Sequence, residues 1–243
     1  MNYLIVGASS GLGRELCYTF AKNNNDLIIC SRDLRDLNAL KSDIEKKFNV
    51  EVKTIVADLT SKENVKKTLM NKNTFKKIDG ILFPVGLMFE KDKVNLDIEK
   101  IDKLIRANFS SIALITSTFL SYKKKGLIVG FGSVSGYLGR ELNTYYAASK
   151  RALESYFESI GFENKKNDIK IQFYTLGYID TNLSFGKKLI LPKGSTQKLS
   201  KLVYKNKNKK LKKYFFPNWW VPIIFFLKIL PLSFLVNFNI FKK

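Results

Sequence analysis

Residues 3–13 read YLIVGASSGLG, a short apolar run that leads directly into a glycine-rich turn. The apolar run is typical of a buried strand, and residues 14–21 then show the apolar spacing of a helix. A strand, a glycine turn and a helix N-terminus together favour phosphate binding, because glycines let the backbone approach closely and the free helix N–H groups attract an anion. Glycine also simply makes turns, so the motif gains its weight from this context.

A second motif lies in the middle of the chain. Tyr146 and Lys150, in YAASK, are four residues apart, and Ser133 lies thirteen residues before the tyrosine. On a helix, positions i and i+4 share one face, so Lys150 can lie beneath the Tyr146 ring and bias its proton. The spacing predicts an acid/base site. A core-facing tyrosine with a solvated lysine has the same pattern, so the motif is weak alone.

Short apolar runs alternate with helical patterns along the first 180 residues. After the first strand, the runs predicted as strands are 27–30, 52–56, 78–85, 126–132 and 169–175. Between them, Leu34, Leu37, Leu40 and Ile44 have helical spacing. We expect an α/β fold, a Rossmann-type doubly wound parallel sheet of about six strands with helices on both faces. The strand order 3-2-1-4-5-6 follows, with the ligand crevice at the carboxyl ends of the strands.

The composition limits the available chemistry. The 243 residues include no histidine, which excludes Ser-His and Cys-His catalysis and the usual zinc sites. No metal site is therefore expected. Cys17 and Cys30 are expected to be reduced core residues. A strand that begins at residue 3 leaves no room for a cleavable signal peptide, so we expect a cytoplasmic protein.

GASSGLG, Asn108, Ser133 and YAASK, in this order and at these separations, resemble the short-chain dehydrogenase/reductase family over roughly residues 2 to 185. The resemblance implies an NAD(P)-dependent oxidoreductase that interconverts a ketone and a secondary alcohol by hydride transfer. It implies that Tyr146 is the general acid or base, that Lys150 lowers the pKa of this phenol and binds the nicotinamide ribose, and that Ser133 stabilises the substrate oxygen. Asn108 would hold a water for proton relay; otherwise it is a polar residue in a helix.

The resemblance also implies a set of cofactor-binding residues: Gly7, Ser9, Ser10, Gly11, Leu12, Gly13, Arg32, Asp58, Leu59, Gly86, Tyr146, Lys150 and Thr181. Arg32 stands at the end of the second strand, where an acidic residue would accept hydrogen bonds from the ribose of NAD. An arginine suits a 2′-phosphate, so NADP is favoured over NAD. The alternative is a surface charge that pairs with Asp33 or Asp36.

Asp58 matches the family position that meets the adenine amino group. Its alternative role is to cap the following helix, for which Asp58 and Thr60 are both suitable. Thr181 would lie near the carboxamide or pyrophosphate and begin a substrate lid that ends near residue 196.

One departure from the family pattern favours a second hypothesis. Residues 83–86 read FPVG where the family commonly has Asn-Asn-Ala-Gly. The runner-up function is accordingly a cofactor-binding but catalytically degenerate member that acts as an interaction protein.

The last quarter of the chain differs in charge. Residues 181–243 hold fourteen lysines and no acidic residue, whereas residues 1–180 hold the other 28 basic and all 21 acidic residues. We predict a Rossmann domain at 1–192 and a basic, aromatic-rich extension at 193–243. The extension contains no convincing seventh strand.

An apolar stretch from Tyr214 to Phe241 is interrupted by Lys228, which suits a membrane surface better than a span. We expect peripheral binding to anionic lipid. Alternatively, the aromatic residues cover the sheet or a homodimer partner. Nucleic acid is not an expected partner, because no recognition motif is present. The ending at 217–231 is similar to that of family members in envelope-sugar pathways, which implies a small-molecule or lipid-linked carbonyl or alcohol substrate.

Overall fold

The computed structural model describes residues 1–70, 72–137, 139, 142–181, 191–210, 212–231 and 233. Within these ranges seven strands form one sheet: β1 (Asn2–Val6), β2 (Asp26–Ser31), β3 (Val52–Val56), β4 (Gly80–Phe83), β5 (Lys125–Ser133), β6 (Asp168–Leu176) and β7 (Lys212–Phe216). All pairs are parallel, and the order is β3-β2-β1-β4-β5-β6-β7. The predicted doubly wound sheet is confirmed.

Nine α-helices lie in the same part of the chain: α1 (Gly11–Lys22), α2 (Leu34–Lys47), α3 (Lys62–Leu69), α4 (Lys72–Lys77), α5 (Ile98–Ile105), α6 (Ser111–Tyr122), α7 (Thr144–Glu163), α8 (Thr196–Asn206) and α9 (Trp220–Ile229). A π-helical turn, Arg106–Ser110, joins α5 to α6, and a 3₁₀ turn, Val134–Tyr137, follows β5.

Two hydrophobic cores cover the two faces of the sheet. One contains residues of α1, α2 and α8, and the other contains residues of α3, α4, α6 and α7. In α2, Leu37, Leu40 and Ile44 are buried as their spacing predicts, while Leu34 is exposed. Because apolar residues cover both faces, the central strands β1, β2 and β4 are nearly continuous hydrophobic runs rather than alternating ones.

The turn between β1 and α1 depends on glycine at two positions. Gly7 has a φ of +92°, and a Cβ on Gly13 would lie 1.9 Å from the Gly7 carbonyl oxygen. A larger residue at position 13 would therefore collide with the backbone. The helix begins directly after the strand end, as the sequence predicts, and its N-terminus faces the carboxyl edge of the sheet.

The expectation that no seventh strand is present is wrong. Strand β7 pairs with β6 over five residues, and the Gly177 amide donates to the Phe216 carbonyl at 2.9 Å. The Tyr174 and Tyr214 rings stack with their centroids 4.9 Å apart. The strand begins with two exposed lysines and lies at the sheet edge, so its sequence lacks the apolar run of an internal strand.

Helix α8 packs on α1. The Thr19 and Ser200 hydroxyls are 2.8 Å apart, and the Phe20 and Tyr204 rings meet edge to face. The boundary between residues 192 and 193 stays a prediction. Because α8 and β7 contact the sheet domain, a segment with a separate role would begin after Phe216.

Helix α9 turns one side toward the domain and the other away from it. Trp220 and Ile224 are buried, whereas the side chains of Val221, Phe225, Phe226 and Ile229 are exposed. Across the described ranges, no helix combines the length and apolar character needed to cross a membrane. Residues 232 and 234–241 of the predicted apolar stretch lie outside the described residues, as do residues 182–190 of the predicted lid.

Candidate active site

Tyr146 and Lys150 lie in the first two turns of α7, beside the carboxyl ends of β4 and β5. The Lys150 amine is buried and donates hydrogen bonds to the Val85 carbonyl at 2.7 Å and the Phe131 carbonyl at 3.0 Å. Its Nζ atom is 5.9 Å from the centroid of the Tyr146 ring. The predicted spacing therefore does place an amine on the same helix face as a phenol.

Burial is the cause of an unusual protonation equilibrium at Lys150. Desolvation disfavours the ammonium and lowers the pKa of Lys150 to about 7. Its two hydrogen-bond partners are neutral carbonyls, which hold the amine in place without a counter-charge. The amine is thus fixed in position, and its pKa is close to neutral pH.

Ser133 is the last residue of β5. Its hydroxyl oxygen accepts hydrogen bonds from the Ser135 hydroxyl at 2.9 Å and the Ser135 amide at 3.2 Å. A serine oxygen that accepts two bonds still has its own proton to donate. Ser133 is therefore suited to donate a hydrogen bond to a substrate oxygen, whereas buried Ser135 acts on Ser133.

Asn108 is fully buried in the π-helical turn between α5 and α6. Its amide group accepts from the Leu87 N–H and donates to the Leu87 carbonyl, both at 2.8 Å. Its Nδ2 also donates to Ser149 Oγ at 3.2 Å, and this hydroxyl donates to the Tyr146 carbonyl at 2.7 Å. Asn108 thus links the segment after β4 to the helix that carries Tyr146. Its role with a water stays a prediction.

The glycine turn and the segment after β6 meet at the carboxyl edge of the sheet. Ser10, the residue before α1, makes no side-chain hydrogen bond to the helix, so it leaves the first turn available to an anion. A Cβ on Gly11 would lie 3.1 Å from Thr181 Cγ2. Thr181 is therefore beside the turn, and the donor set and backbone geometry fit a dinucleotide pyrophosphate.

The other predicted cofactor residues line the same edge. Arg32 is exposed just after β2, and within the described part of the chain no ion pair joins it to Asp33 or Asp36. Asp33 instead caps α2 by accepting from the Asp36 amide. The alternative, in which Arg32 forms an ion pair with Asp33 or Asp36, is therefore not observed.

Asp58 and Leu59 follow β3. The Asp58 carboxylate accepts from both the amide and the hydroxyl of Thr60, each at 2.9 Å, and Leu59 is buried with its carbonyl bonded to Ser111. The cap of α3 is Ser61, which accepts from the Asn64 amide. The alternative that Asp58 or Thr60 caps this helix is wrong, since Ser61 is one residue closer to the first turn.

The FPVG segment replaces the family's amides with apolar packing. Phe83 is fully buried in β4, and a Cβ on Gly7 would lie 3.2 Å from Val85 Cγ2. The Val85 carbonyl holds Lys150, and the exposed Gly86 precedes Leu87, which is bound by Asn108. The backbone path past the site is therefore maintained by different contacts.

The sequence patterns did not predict a role for two buried acidic residues, Asp92 and Glu154. Asp92 accepts hydrogen bonds from the Tyr145 and Tyr146 amides. Glu154 receives hydrogen bonds from Tyr137 and Arg151 and pairs with Lys213. No local pattern marks either residue, because their partners are up to 59 positions away along the chain.

The Glu154 cluster connects the site to the C-terminal segment. Burial alone would raise the pKa of Glu154, but the hydrogen bonds from Lys213 and Tyr137 outweigh it and keep this pKa below its ordinary value. Lys228 of α9 lies 4.6 Å from the centroid of the Tyr137 ring. The 3₁₀ turn that follows Ser133 therefore rests on side chains of α7, β7 and α9.

Trp220, the first residue of α9, is buried against the segment that follows β6. A Cβ on Gly177 would lie 1.7 Å from the Trp220 indole nitrogen, so the ring packs directly on the backbone that leads to Thr181. Tyr178 meets this ring edge to face at 5.5 Å. Helix α9 thus begins against the segment that follows β6.

Known proteins resemble this chain over most of its length. The family model described as short chain dehydrogenase matches residues 2–188. The very-long-chain 3-oxoacyl-CoA reductase of Bos taurus is 28% identical over 212 residues, which are 83% of this chain and 67% of that protein. The hydroxysteroid 11-beta-dehydrogenase 1-like protein B of Xenopus laevis is 27% identical over 233 residues, which are 90% of this chain and 78% of that protein.

A solved structure extends the likeness to the whole chain. The short-chain dehydrogenase from Sphingobium yanoikuyae in complex with NADPH has a TM-score of 0.81 at 20% identity, and the match covers 100% of this chain and 98% of that one. At this identity the likeness shows a shared fold. Together with the family model, which spans the glycine turn, Ser133, Tyr146 and Lys150, it leads to one conclusion: the chain belongs to the short-chain dehydrogenase family.

Proposed function

We propose that the protein is an NADP-preferring oxidoreductase that interconverts a ketone and a secondary alcohol. The observation that carries this proposal is the junction of α7 with β5: the Lys150 amine lies beside the Tyr146 ring and is fixed by the carbonyls of Val85 and Phe131. Phe131 is two residues before Ser133 on β5, and the Ser133 hydroxyl accepts two hydrogen bonds and keeps its own proton to donate. The relatives named oxidoreductases and the solved structures with NADP or NADPH support it.

The residues that would hold the cofactor follow from the same edge of the sheet. The turn from Gly7 to Gly13 would receive the pyrophosphate at the N-terminus of α1, with Thr181 beside it. The exposed guanidinium of Arg32 would bind the 2′-phosphate, and Asp58 would face the adenine. When bound, the nicotinamide supplies or accepts the hydride.

The side chains of this protein would handle the proton. In reduction, Tyr146 donates its phenolic proton to the carbonyl oxygen, and in oxidation it removes the proton of the alcohol. Ser133 donates a hydrogen bond to the same oxygen and stabilises its developing negative charge. A protonated Lys150 favours the phenolate of Tyr146, and Asn108 fixes the backbone on which this tyrosine lies.

The first experiment measures NADPH binding by titration and turnover on a panel of carbonyl compounds. Tyr146→Phe removes the proton but keeps the ring, so turnover should fall by about 10²- to 10⁴-fold, which is roughly 3 to 5 kcal/mol of barrier. NADPH binding should be unchanged. Tyr122→Phe, at the exposed end of α6, is the control and should retain most turnover. Retained turnover in Tyr146→Phe would contradict the catalytic assignment.

The outward face of α9 supports a membrane-facing extension of this function. Phe225 and Phe226 are 62% and 66% exposed, and the chain after residue 180 holds fourteen lysines without an acidic residue. Exposed aromatic residues with an excess of positive charge match an anionic lipid surface. We infer that the protein binds the cytoplasmic surface of a membrane peripherally.

The position of α9 connects this surface with the substrate. Its first residue, Trp220, packs on Gly177, next to the segment that leads to Thr181. A substrate dissolved in or anchored to lipid would reach the site along this side. The relationship to the very-long-chain 3-oxoacyl-CoA reductase of Bos taurus favours a carbonyl or alcohol carried on a long apolar chain or lipid.

Flotation with liposomes tests the membrane proposal. The full chain should float with anionic vesicles, and added salt should weaken binding because each lysine near the surface contributes about 1 kcal/mol that ions screen. The double substitution Phe225→Ser and Phe226→Ser should reduce binding at least tenfold, since each buried phenylalanine contributes about 1.5 to 3 kcal/mol.

Phe162→Ser is the matched control, because Phe162 is equally exposed but lies at the far end of α7. It should bind vesicles like the unchanged chain. No flotation of the full chain, or equal loss in both variants, would contradict the proposal. A dimer that only the double substitution dissociates would instead show that this face covers a second copy.

A further inference from the structure

The first turn of α7 lacks a cap from its own sequence. The residue before the helix, Asn143, has a left-handed φ of 63° and makes no side-chain hydrogen bond to the helix. A helix leaves its first N–H groups without intrahelical partners, and these groups need another acceptor when they are removed from water. In α7 this requirement falls on the turn that carries Tyr146.

Asp92 supplies the missing acceptors from a different part of the chain. Its Oδ1 accepts from the Tyr145 amide at 2.9 Å, its Oδ2 accepts from the Tyr146 amide at 2.8 Å, and its backbone carbonyl accepts from the Thr144 amide at 3.2 Å. Asp92 is fully buried. A carboxylate at a helix N-terminus is also favoured by the helix dipole.

The segment that carries Asp92 is itself held at several points. Asn108 binds both backbone polar groups of Leu87, and the Tyr145 hydroxyl donates to the Val94 carbonyl at 2.7 Å. The connection from β4 to α5 therefore joins the start of α7 at a fixed place.

We infer that Asp92 is a positioning residue for the reaction. By holding the amide of Tyr146, it fixes where the phenol stands relative to Ser133 and Lys150, and it does so without touching substrate. The inference rests on the proposed function, because its kinetic consequence requires Tyr146 to transfer the proton. A displacement of about 1 Å in a reacting group can lower a rate about 10²-fold.

The experiment compares Asp92→Asn and Asp92→Ala with Asp97→Asn in the full chain. Asp97 is the matched control, since its carboxylate accepts from two amides of α5, a helix without Tyr146 or Lys150. For each variant, kcat, KM, the Kd for NADPH and amide exchange in residues 144–150 are measured below the unfolding temperature.

We expect Asp92→Ala to lower kcat about 10- to 100-fold while KM and the Kd for NADPH stay within about twofold. Asp92→Asn keeps one acceptor oxygen, so its kcat should fall by less. If Asp92→Ala does not fold, Asp92→Asn alone decides the test. Amide exchange at Tyr145 and Tyr146 should be faster in both. Asp97→Asn should change neither kcat nor this exchange.

Two results would overturn the inference. One is a folded Asp92 variant with kcat within about twofold of the unchanged enzyme, and the other is equal loss of kcat and NADPH binding. If the unchanged protein reduces no carbonyl compound, the proposed function fails. Amide exchange then decides the positioning role of Asp92: faster exchange at Tyr146 in its variants alone supports the role, and unchanged exchange overturns it.

Discussion

Helix α7 buries two charged groups one turn apart, and their surroundings differ. Within the described part of the chain, Lys150 donates hydrogen bonds only to neutral carbonyls, and burial lowers its pKa to about 7. Glu154 is equally buried but is bound by Arg151, Lys213 and Tyr137, and its pKa stays below the ordinary value. A buried charge without a counter-charge is poised to gain or lose its proton, whereas a paired one is not.

The two halves of α7 therefore differ in role: the first half carries the proposed acid/base groups, and the second half carries ion pairs that connect α7 to neighbouring elements. The half of α7 that starts at Tyr146 has a group whose protonation can change near neutral pH, as an acid/base site requires. The half that starts at Arg151 connects to β7 and to the turn after Ser133 through permanent charges. We expect changes in the two halves to affect different measurements.

The largest expected effect on stability comes from removing a counter-charge of Glu154. Lys213→Met keeps the aliphatic stem but leaves the buried carboxylate with Arg151 and Tyr137 only. The free energy of unfolding, measured by denaturant titration, should fall by about 3 kcal/mol. Lys212→Met is the control, because Lys212 precedes Lys213 in β7 and its own side chain is exposed at the sheet edge. This substitution should change the free energy of unfolding by less than about 0.5 kcal/mol.

Adding Glu154→Gln to Lys213→Met sharpens this result. The double variant has no buried unpaired charge, so it should recover part of the lost stability. If the double variant is as unstable as the sum of the two single ones, the cluster acts through packing rather than charge.

The free energy of unfolding measured over a pH series tests Lys150, the other buried charged residue of α7. Between pH 7 and about 10, Lys150 is neutral in the folded chain but still protonated in the unfolded chain, which binds more protons. Stability contributed by this residue should therefore rise with pH, by at most about 1.4 kcal/mol per pH unit. Below pH 7 both states carry the proton and the slope disappears.

The measurement is the difference in unfolding free energy between the unchanged chain and Lys150→Met at pH 7, 8 and 9. Taking the difference removes the contribution of the tyrosines, which both chains share. A difference that does not vary with pH would show that the two carbonyls keep Lys150 protonated, and the contrast with Glu154 would then disappear.

The smallest expected effect concerns an exposed charge, Arg32. Arg32→Ala should weaken NADPH binding by about 2 kcal/mol, about 30-fold in Kd, because charge-assisted bonds to the 2′-phosphate are lost. NADH binding should change little. Arg35→Ala, an exposed arginine at the second position of α2, serves as the control. Equal weakening of NADH and NADPH would contradict the phosphate role.

The parts of this fold that are encoded by short-range patterns could be predicted. The glycine turn, the six strands from β1 to β6 and the helical spacing in α2 depend on residues within one element or its immediate neighbours, where the period of apolar residues is visible. Tyr146 and Lys150 belong to this class, since their common helix face follows from their spacing.

Long-range contacts explain what the sequence could not reveal. Strand β7 has an ordinary edge sequence, and it becomes a strand because β6 offers it unpaired hydrogen-bonding groups. Whether Trp219 and Trp220 face lipid or protein was also undecided by composition. The structure buries Trp220 on Gly177 and exposes Phe225 and Phe226, so one side of α9 packs on the domain and the other side is exposed.

The amino-acid sequence alone indicated the family and predicted the residues that would transfer a proton, because both depend on residue identity and on regular spacing. Only the folded chain settled their electrostatic environment. The carbonyls of Val85, two residues after β4, and of Phe131 in β5 bind Lys150, and Asp92 reaches the first turn of α7 from the segment after β4. The pKa of a buried group depends on what surrounds it in space, and those neighbours come from elements far apart in the chain.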